Sequence, residues 1–483
     1  MNNFKNIYEE VYKNGKLFGI SKANKNNPLL NNSKRKNSIA IMGGILGDEG
    51  KGRIADQLTS DLLKKHKKVF HYRDNGGANA GHTVEVGELK IALHQLGAGV
   101  LQKGCVAILG KEMVLHPEDL VAEILEVKKV IGKSNLPSEL IIDEAAFLCL
   151  DTHRAYENVL KMRSTGSKAS TGRGISPAYV DVILRNPLRI RDLIDKNWKE
   201  KFEEHYKLYQ TIISGFGLKL SSVEVPRLSG KNIKVGSFAK MISRLEESRK
   251  VIKPLVASGY EIIKEAWSSK YPVVFEKAQA IGLDKRWGVY PDITASDCTF
   301  DGIFSSTEGL VDPQDIAVKV AVLKATYSSS VGTRNLPTMM KGKLASKIRE
   351  DANEYGATTK RPRDIAYIDL PMISYLFKVG KVEYLTMTHL DIAYPNTPIK
   401  VCIDYKIGTK SVGYRPDQEY LNKVEPVYVD LPSWDGSLTQ ETKSIKDLPK
   451  EALQYLAFIS KSLETKLFMV TTGPKREQTI NWW

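Results

Sequence analysis

The sequence predicts an α/β protein, built on one large, mostly parallel sheet with helices on its faces and helical additions. Three observations predict it. Short apolar runs at 39–42, 69–72, 106–109 and 139–142 alternate with helical stretches such as 54–66 and 117–130. The loops after several of these runs are rich in Gly and small polar residues, and such strand ends are where α/β sheets bind ligands. The 483 residues are 42% hydrophobic, enough for one large domain with additions or two or three modest ones.

Composition narrows the function. No apolar run reaches the length that spans a membrane, so a soluble protein is expected. The net charge of +15 suits either an anion-binding protein or lysines spread over a solvated surface. No aromatic-basic module of a known kind is present, which disfavours nucleic acid. Cys105, Cys149, Cys298 and Cys402 are scattered, with neither a CxxC pair nor a zinc spacing. Buried thiols in a reducing, cytoplasmic compartment are the expectation.

Residues 1–37 hold ten Asn, eight Lys or Arg and only two acids. They read as a disordered basic N-terminal extension. The segment has neither the hydrophobic region of a secretory signal nor the Arg/Ser bias of a transit peptide. Residues 38–483 read as the catalytic domain, with a mostly helical, charged subdomain at 190–270.

The segment 38–55, SIAIMGGILGDEGKGRIA, reads as strand, glycine-rich turn and helix start. Amide donors and Lys51 at a helix N-terminus suit phosphate. The loop is not a Walker A, because five residues separate Gly44 from Gly50 and no Ser or Thr follows Lys51. It also carries Asp48 and Glu49, and a carboxylate there makes sense if it holds a metal or takes a proton. The next loop, 73–83, reads RDNGGANAGHT, with Asn79 to donate and accept and His82 to carry a proton. A third turn, STGRGISPAY at 170–179, again suits an anion. Later come VVFEKAQA at 273–280, YPDITAS at 290–296 and GATTKRPR at 356–363. Two arginines in that last turn suit a dicarboxylate. The strand at 384–387 runs into Thr388, His389, Leu390 and Asp391, and an Asp there can accept from guanine N1 and N2. The strand at 466–470 ends in the close-approach turn Thr471-Thr472-Gly473.

Taken together, GDEGKG, GGxNAGHT, TGRGI-x-PAY, TT-x-R-x-R and a final TGP followed by TI resemble the adenylosuccinate synthetase family, in the family's order from residue 39 to 480. The resemblance implies its fold, a P-loop NTPase-like sheet with helical subdomains, assembled as a homodimer. It implies a ligase that moves the γ-phosphoryl of GTP to O6 of IMP and then joins aspartate at C6. On that reading Asp48 is the base that takes the N1 proton, His82 lies by the phosphoryl group, and Lys51 completes the catalytic set. Mg²⁺ is implied as the cofactor, held by Asp48 and the Gly81 carbonyl.

The resemblance assigns GTP to Gly47, Asp48, Glu49, Gly50, Lys51, Gly52, Arg53, Gly81, His82, Thr83, Arg363, His389, Leu390, Asp391, Thr471, Thr472 and Gly473. IMP falls to Asp48, Lys51, Asn79, Gly81, His82, Thr171, Gln279, Thr294 and Arg361, with Arg185 lent across the dimer interface. Aspartate falls to Ala357, Thr358, Thr359, Arg361 and Arg363. The chain departs from the family's pattern at Ile45, Leu46, Lys277, Ala280, Met339, Lys360 and His389. Two alternatives stand beside the main reading: a ligase for another 6-oxopurine nucleotide such as GMP or dGMP, or one using ATP, and a non-catalytic nucleotide-binding regulator. Retention of Asp48, Lys51, His82, Arg361 and Arg363 argues against the regulator, since a mere binder needs no base.

Overall fold

In the computed structural model, the described residues are 3–24, 26–86, 89–163, 170–330, 334–356 and 361–483. Eight strands carry the site: β1 Arg35–Gly43, β2 Val69–Gly77, β3 Cys105–Leu115, β4 Glu139–Asp143, β5 Val273–Ala280, β6 Ile316–Lys324, β7 Tyr384–Thr388 and β8 Lys466–Thr471. They lie in the order β4-β3-β2-β5-β1-β6-β7-β8, all mutually parallel, inside an eleven-stranded sheet. At the β8 edge Thr479–Asn481 pairs antiparallel. The order reverses direction around β1, which stands between β5 and β6. Ligands of parallel sheets gather at such switch points.

Both sheet faces are covered, so the strands are apolar on both sides. Ile39 and Ile41 of β1 face one core with Val318, Val320 and Val322. Ala40 and Met42 face the other with Phe275 and Leu323. The glycine-rich turn after β1 feeds the helix Lys51–Leu63. The strand runs expected from sequence all form, and most extend further toward the site end. The four cysteines are buried free thiols. No helix of the described residues is long and apolar enough to cross a membrane.

The N-terminal extension differs from the disordered tail expected from its composition. Asn3–Tyr8 is helical and continues as one wider turn, Glu9–Lys13. Ile7, Val11, Ile20 and Leu29 are buried. Tyr8 and Tyr12 pack edge-on against Phe458 of the helix Lys450–Ser462. The Trp482 indole donates to the Ile20 carbonyl at 2.8 Å, and the Asn24 amide donates to the Trp482 carbonyl at 2.7 Å. The physical reason is spacing. Phe4, Ile7, Tyr8, Val11 and Tyr12 recur at three- and four-residue steps and make an apolar face. Composition averaged that face away. Residues 190–270 contain the helices Ile190–Ile194, Trp198–Gly215, Phe238–Ile252 and Gly259–Ser268, with a small hairpin between the middle two.

Candidate active site

The loop after β1 is shaped by its own carboxylate. Gly47 and Asp48 take left-handed backbone, with φ of 97° and 60°, before Gly50 caps the helix. Glu49 is 3% exposed. Its Oε1 accepts from the Ile45 and Gly47 amides at 3.1 and 2.8 Å, and its Oε2 accepts from Lys51 Nζ at 2.9 Å. Of the two acids weighed from sequence, Glu49 is therefore the brace that holds the loop open. Asp48 is the one left facing the cleft. Its Oδ2 lies 3.0 Å from Arg363 Nη2, with the side chain 24% exposed.

The second loop meets the first. A Cβ on Gly52 would collide with the His82 ring, so glycine there lets the imidazole lie against the helix start. His82 Nε2 stands 3.3 Å from Glu276 Oε1. Glu276 Oε2 in turn accepts from the Ala98 amide at 2.9 Å and lies 2.7 Å from His71 Nε2. His71 Nδ1 lies 3.0 Å from Thr59 Oγ1. Burial pushes His82 down to about 3, against the pull of Glu276. Burial alone would raise the Glu276 carboxyl, but His82 and His71 hold it well below its usual range. The sequence reading named Glu276 only as part of a strand. Its signal was an acid at the end of an apolar run, directly after the core phenylalanine Phe275.

Arg363 belongs to a second buried cluster. Its Nη1 donates to Glu354 Oε2 at 2.8 Å. Glu354 Oε1 accepts from Lys324 Nζ and, at 2.6 Å, from the Tyr327 hydroxyl. Burial would raise Glu354, but Lys324 and Arg363 hold it well below the carboxylate range. Lys324, Tyr327 and Glu354 were all missed from sequence, because the end of β6 and the segment around 354 meet only in the fold. Tyr327 also packs edge-on against His389. Burial and Lys324 bring His389 down to about 4.

The base-reading end is assembled from β7, β8 and the C-terminal turn. The Leu390 amide donates to the Thr471 carbonyl at 3.0 Å, and the Trp434 indole holds the Leu390 carbonyl at 3.0 Å. Thr388 Oγ1 donates to the Glu49 carbonyl at 2.8 Å, tying this end to the phosphate loop. Asp391 Oδ2 accepts from Gln440 Nε2 at 3.4 Å, and burial raises the Asp391 carboxyl. The Arg53 guanidinium reaches the Gln478 carbonyl at 3.2 Å. Gly473 is packed against Gln478, where no Cβ would fit.

The remaining expected residues divide by place. Asn79 Oδ1 accepts from the Gly77 amide at 3.1 Å, which orients that loop. Gln279 has left-handed backbone, and its Oε1 accepts from Ser296 Oγ at 3.2 Å. The Thr294 amide donates to the Leu283 carbonyl. Gly81 lies just before the strand His82–Val86 and Thr83 lies on it. Thr171 and Arg361 are exposed. Arg185 is exposed, with φ of 63°, just past the helix Ile175–Ile183. Ala357, Thr358 and Thr359, with Lys360, lie outside the described residues. Of the family departures, Lys277 is not in the cleft at all; it is buried beneath it.

One feature unites the cleft. Gln279 Nε2, Arg363 Nε, Asp391 Oδ1 and Thr472 Oγ1 are buried polar atoms with no hydrogen-bond partner among the described residues. Buried polar groups are ordinarily paired. Here unpaired atoms stand on residues the sequence assigned to ligands. Amides and Lys51 at a helix start, a carboxylate, an imidazole and unpaired polar atoms on Asp391 and Thr472 define a nucleotide-dependent phosphoryl-transfer protein of the α/β class.

The comparisons carry this to a family. The sequence profile described as adenylosuccinate synthetase matches residues 40–480. The adenylosuccinate synthetase of Clostridium botulinum (strain Alaska E43) is 33% identical over 447 residues, 92% of this chain and 98% of that protein. That of Halothermothrix orenii is 32% identical over 448 residues, 91% of this chain and 97% of that protein. The fully ligated adenylosuccinate synthetase of Plasmodium falciparum superposes with a TM-score of 0.81 at 27% identity, covering 92% of this chain and 99% of that one. The succinoaminodeoxyadenylate synthetase of cyanophage S-2L, bound to dGMP and dATP, shares the fold at a TM-score of 0.55 and 17% identity. The chain belongs to the adenylosuccinate synthetase family.

Proposed function

We propose that this chain is a GTP-dependent ligase that joins L-aspartate to C6 of IMP, giving adenylosuccinate, GDP and phosphate in purine nucleotide synthesis. The observation that carries it is the meeting of Asp48, Lys51 and His82 at one helix start, with Asp391 and Thr472 unpaired at the base end. The O6 of IMP is a poor leaving group. Asp48 takes the N1 proton, so that O6 attacks the γ-phosphorus of GTP and GDP leaves. The amine of aspartate then adds at C6 and phosphate departs. His82 and Lys51 meet the charge that develops on the transferring oxygens, and loop amides join them. Glu276 holds the imidazole in place from behind. Arg361 and Arg363 suit the carboxylates of aspartate.

The residues fit the family's Mg²⁺. The Asp48 carboxylate and the Gly81 carbonyl are hard oxygen donors, and Asp48 Oδ2 already faces a cation in Arg363. When bound, Mg²⁺ supplies charge neutralisation for the phosphoryl oxygens. A homodimer lending Arg185 is supported by the exposed apolar residues beside it, Ile183 at 81% and Leu184 at 66%. Buried free thiols support a cytoplasmic setting.

The test is product mass after incubation with Mg²⁺, GTP, aspartate and either IMP, GMP or dGMP. A succinyl adduct on IMP is expected; an adduct on GMP or dGMP alone would overturn the substrate, and none on any purine would favour a regulator. Mixing Asp48→Asn with Arg185→Leu protein should restore some turnover, and no recovery after proven subunit exchange would reject the shared site.

A further inference from the structure

Lys277 and Asp74 stand behind the cleft on adjacent strands. Both are fully buried, at 0% and 1% side-chain exposure, and Lys277 Nζ donates to Asp74 Oδ2. The ammonium lies against bare backbone: a Cβ on Gly302 would come within 2.8 Å of it. Successive strand residues face opposite sides. Glu276 therefore serves His82 on one face, while Lys277 is held on the other.

The pair sits at an interruption in the sheet. The β2–β5 ladder runs from Phe70↔Val273 to Arg73↔Glu276 and stops there. At the same level β1 and β5 lose register between Ile41 and Gly43, and β2 and β3 between Arg73 and Asn75. Bulges of this kind re-aim side chains next to active sites. Past this level lie the ends of β2 and β5 and the loops they enter, 75–83 and 278–280, which carry Asn79, His82 and Gln279. Residues 75–77 are laddered to β3 and Ala280 to β1, but no ladder among the described residues joins the two segments to each other, so side chains set the spacing between them. One is Asn75, whose Oδ1 accepts from the Ala278 amide at 2.8 Å and whose Nδ2 donates to Ser296 Oγ at 3.2 Å. The other is the ion pair, one residue before each partner in that clasp.

We propose that Asp74 and Lys277 are a positioning pair that fixes the spacing of the two loops holding IMP. The proposal rests on the functional reading above. A buried ion pair is a poor source of net stability, and its best-attested use is to specify register. Its attraction falls with separation in a medium that screens little, so it resists sliding where an apolar contact would allow it. Asp74 Oδ1 has no hydrogen-bond partner among the described residues, and the lysine on Oδ2 is the carboxylate's nearest counter-charge.

The experiment uses the double variant Asp74→Leu/Lys277→Met, whose apolar pair keeps the volume and is expected to keep the melting temperature. Hydrogen exchange of the ligand-free protein is then read by mass spectrometry. Peptides covering 75–83 and 278–280 are expected to exchange ~10-fold faster than wild type, with β6 unchanged. In turnover the KM for IMP should rise ~10-fold, and by more than that for GTP, most of whose assigned residues lie outside the two segments. Wild-type exchange in both loops of the folded double variant would overturn the proposal. If the double variant does not fold, Asp74→Asn, which keeps the shape but removes the charge that draws the lysine, is read by the same exchange criterion. Failure of wild-type protein to use IMP would overturn the functional reading instead, because the exchange is measured without ligand.

Discussion

Replacing Asp48 by Asn separates chemistry from stability, and the structure sets both magnitudes. At 3.0 Å from Arg363 Nη2, the carboxylate interacts with the guanidinium by ~5 kcal/mol at an effective dielectric of about 20. Little of that is expected as lost stability. Asp48 is partly exposed, so water screens it, and Arg363 keeps Glu354 on its other nitrogen at 2.8 Å. The guanidinium is thus never left without a buried counter-charge. A loss of ~1 kcal/mol or less is expected, in the range of exposed pairs. The rate should behave differently. An amide cannot take the N1 proton, and loss of a positioned base typically slows turnover ~10²–10⁴-fold, or about 3–5 kcal/mol of barrier. The assays are steady-state adenylosuccinate formation, calorimetric GTP binding and urea unfolding of the same preparations. Turnover within tenfold of wild type would refute the base assignment. Unfolding weakened by several kcal/mol would refute the claim that Glu354 suffices for Arg363.

Glu276→Gln is expected to lower kcat ~10²-fold with little change in the KM for GTP, because the amide cannot hold His71 and His82 with one negative charge; an unchanged kcat would show that His82 needs no support. Ile7→Ala should cost ~2 kcal/mol or more in chemical denaturation, since Ile7 is buried under the N-terminal strap, and a variant as stable as wild type would mean the strap is undocked in solution. Stability should fall as pH drops below 6.5. The folded values of His82 and His389 are depressed to about 3 and 4, so below 6.5 the unfolded chain binds protons that the folded chain refuses. At pH 5 this amounts to ~2 kcal/mol per histidine, and the held-down carboxyls of Glu276 and Glu354 act in the same direction at lower pH. Equal urea midpoints at pH 7 and pH 5 would contradict it.

The apolar strand runs, the glycine-rich loops at their ends and the places of Asp48, Lys51, His82 and Asp391 in those loops were legible in the chain itself; the order of the strands in the sheet was not. They lie in local patterns: an apolar run, then glycines, then a polar group at a helix start. Such signals depend on neighbours in sequence, and a single reading frame contains them. The division of labour between Asp48 and Glu49 was not legible, because both carboxylates occupy the same turn. Only the fold shows one bonded inward to the Ile45 and Gly47 amides and the other facing Arg363.

What tertiary structure alone decided are partnerships between distant residues. Glu276 finds His82 and His71 because β5 lies beside β2. Glu354 gathers Lys324 and Tyr327 from the end of β6 and Arg363 from its own loop. Lys277, which in the sequence is only a departure from the family's pattern, points to the other side of its strand and meets Asp74. The physical reason is common to all of them. Burying a charge is tolerated only beside its complement, and the sequence lists the charges without saying which of them the sheet will bring together.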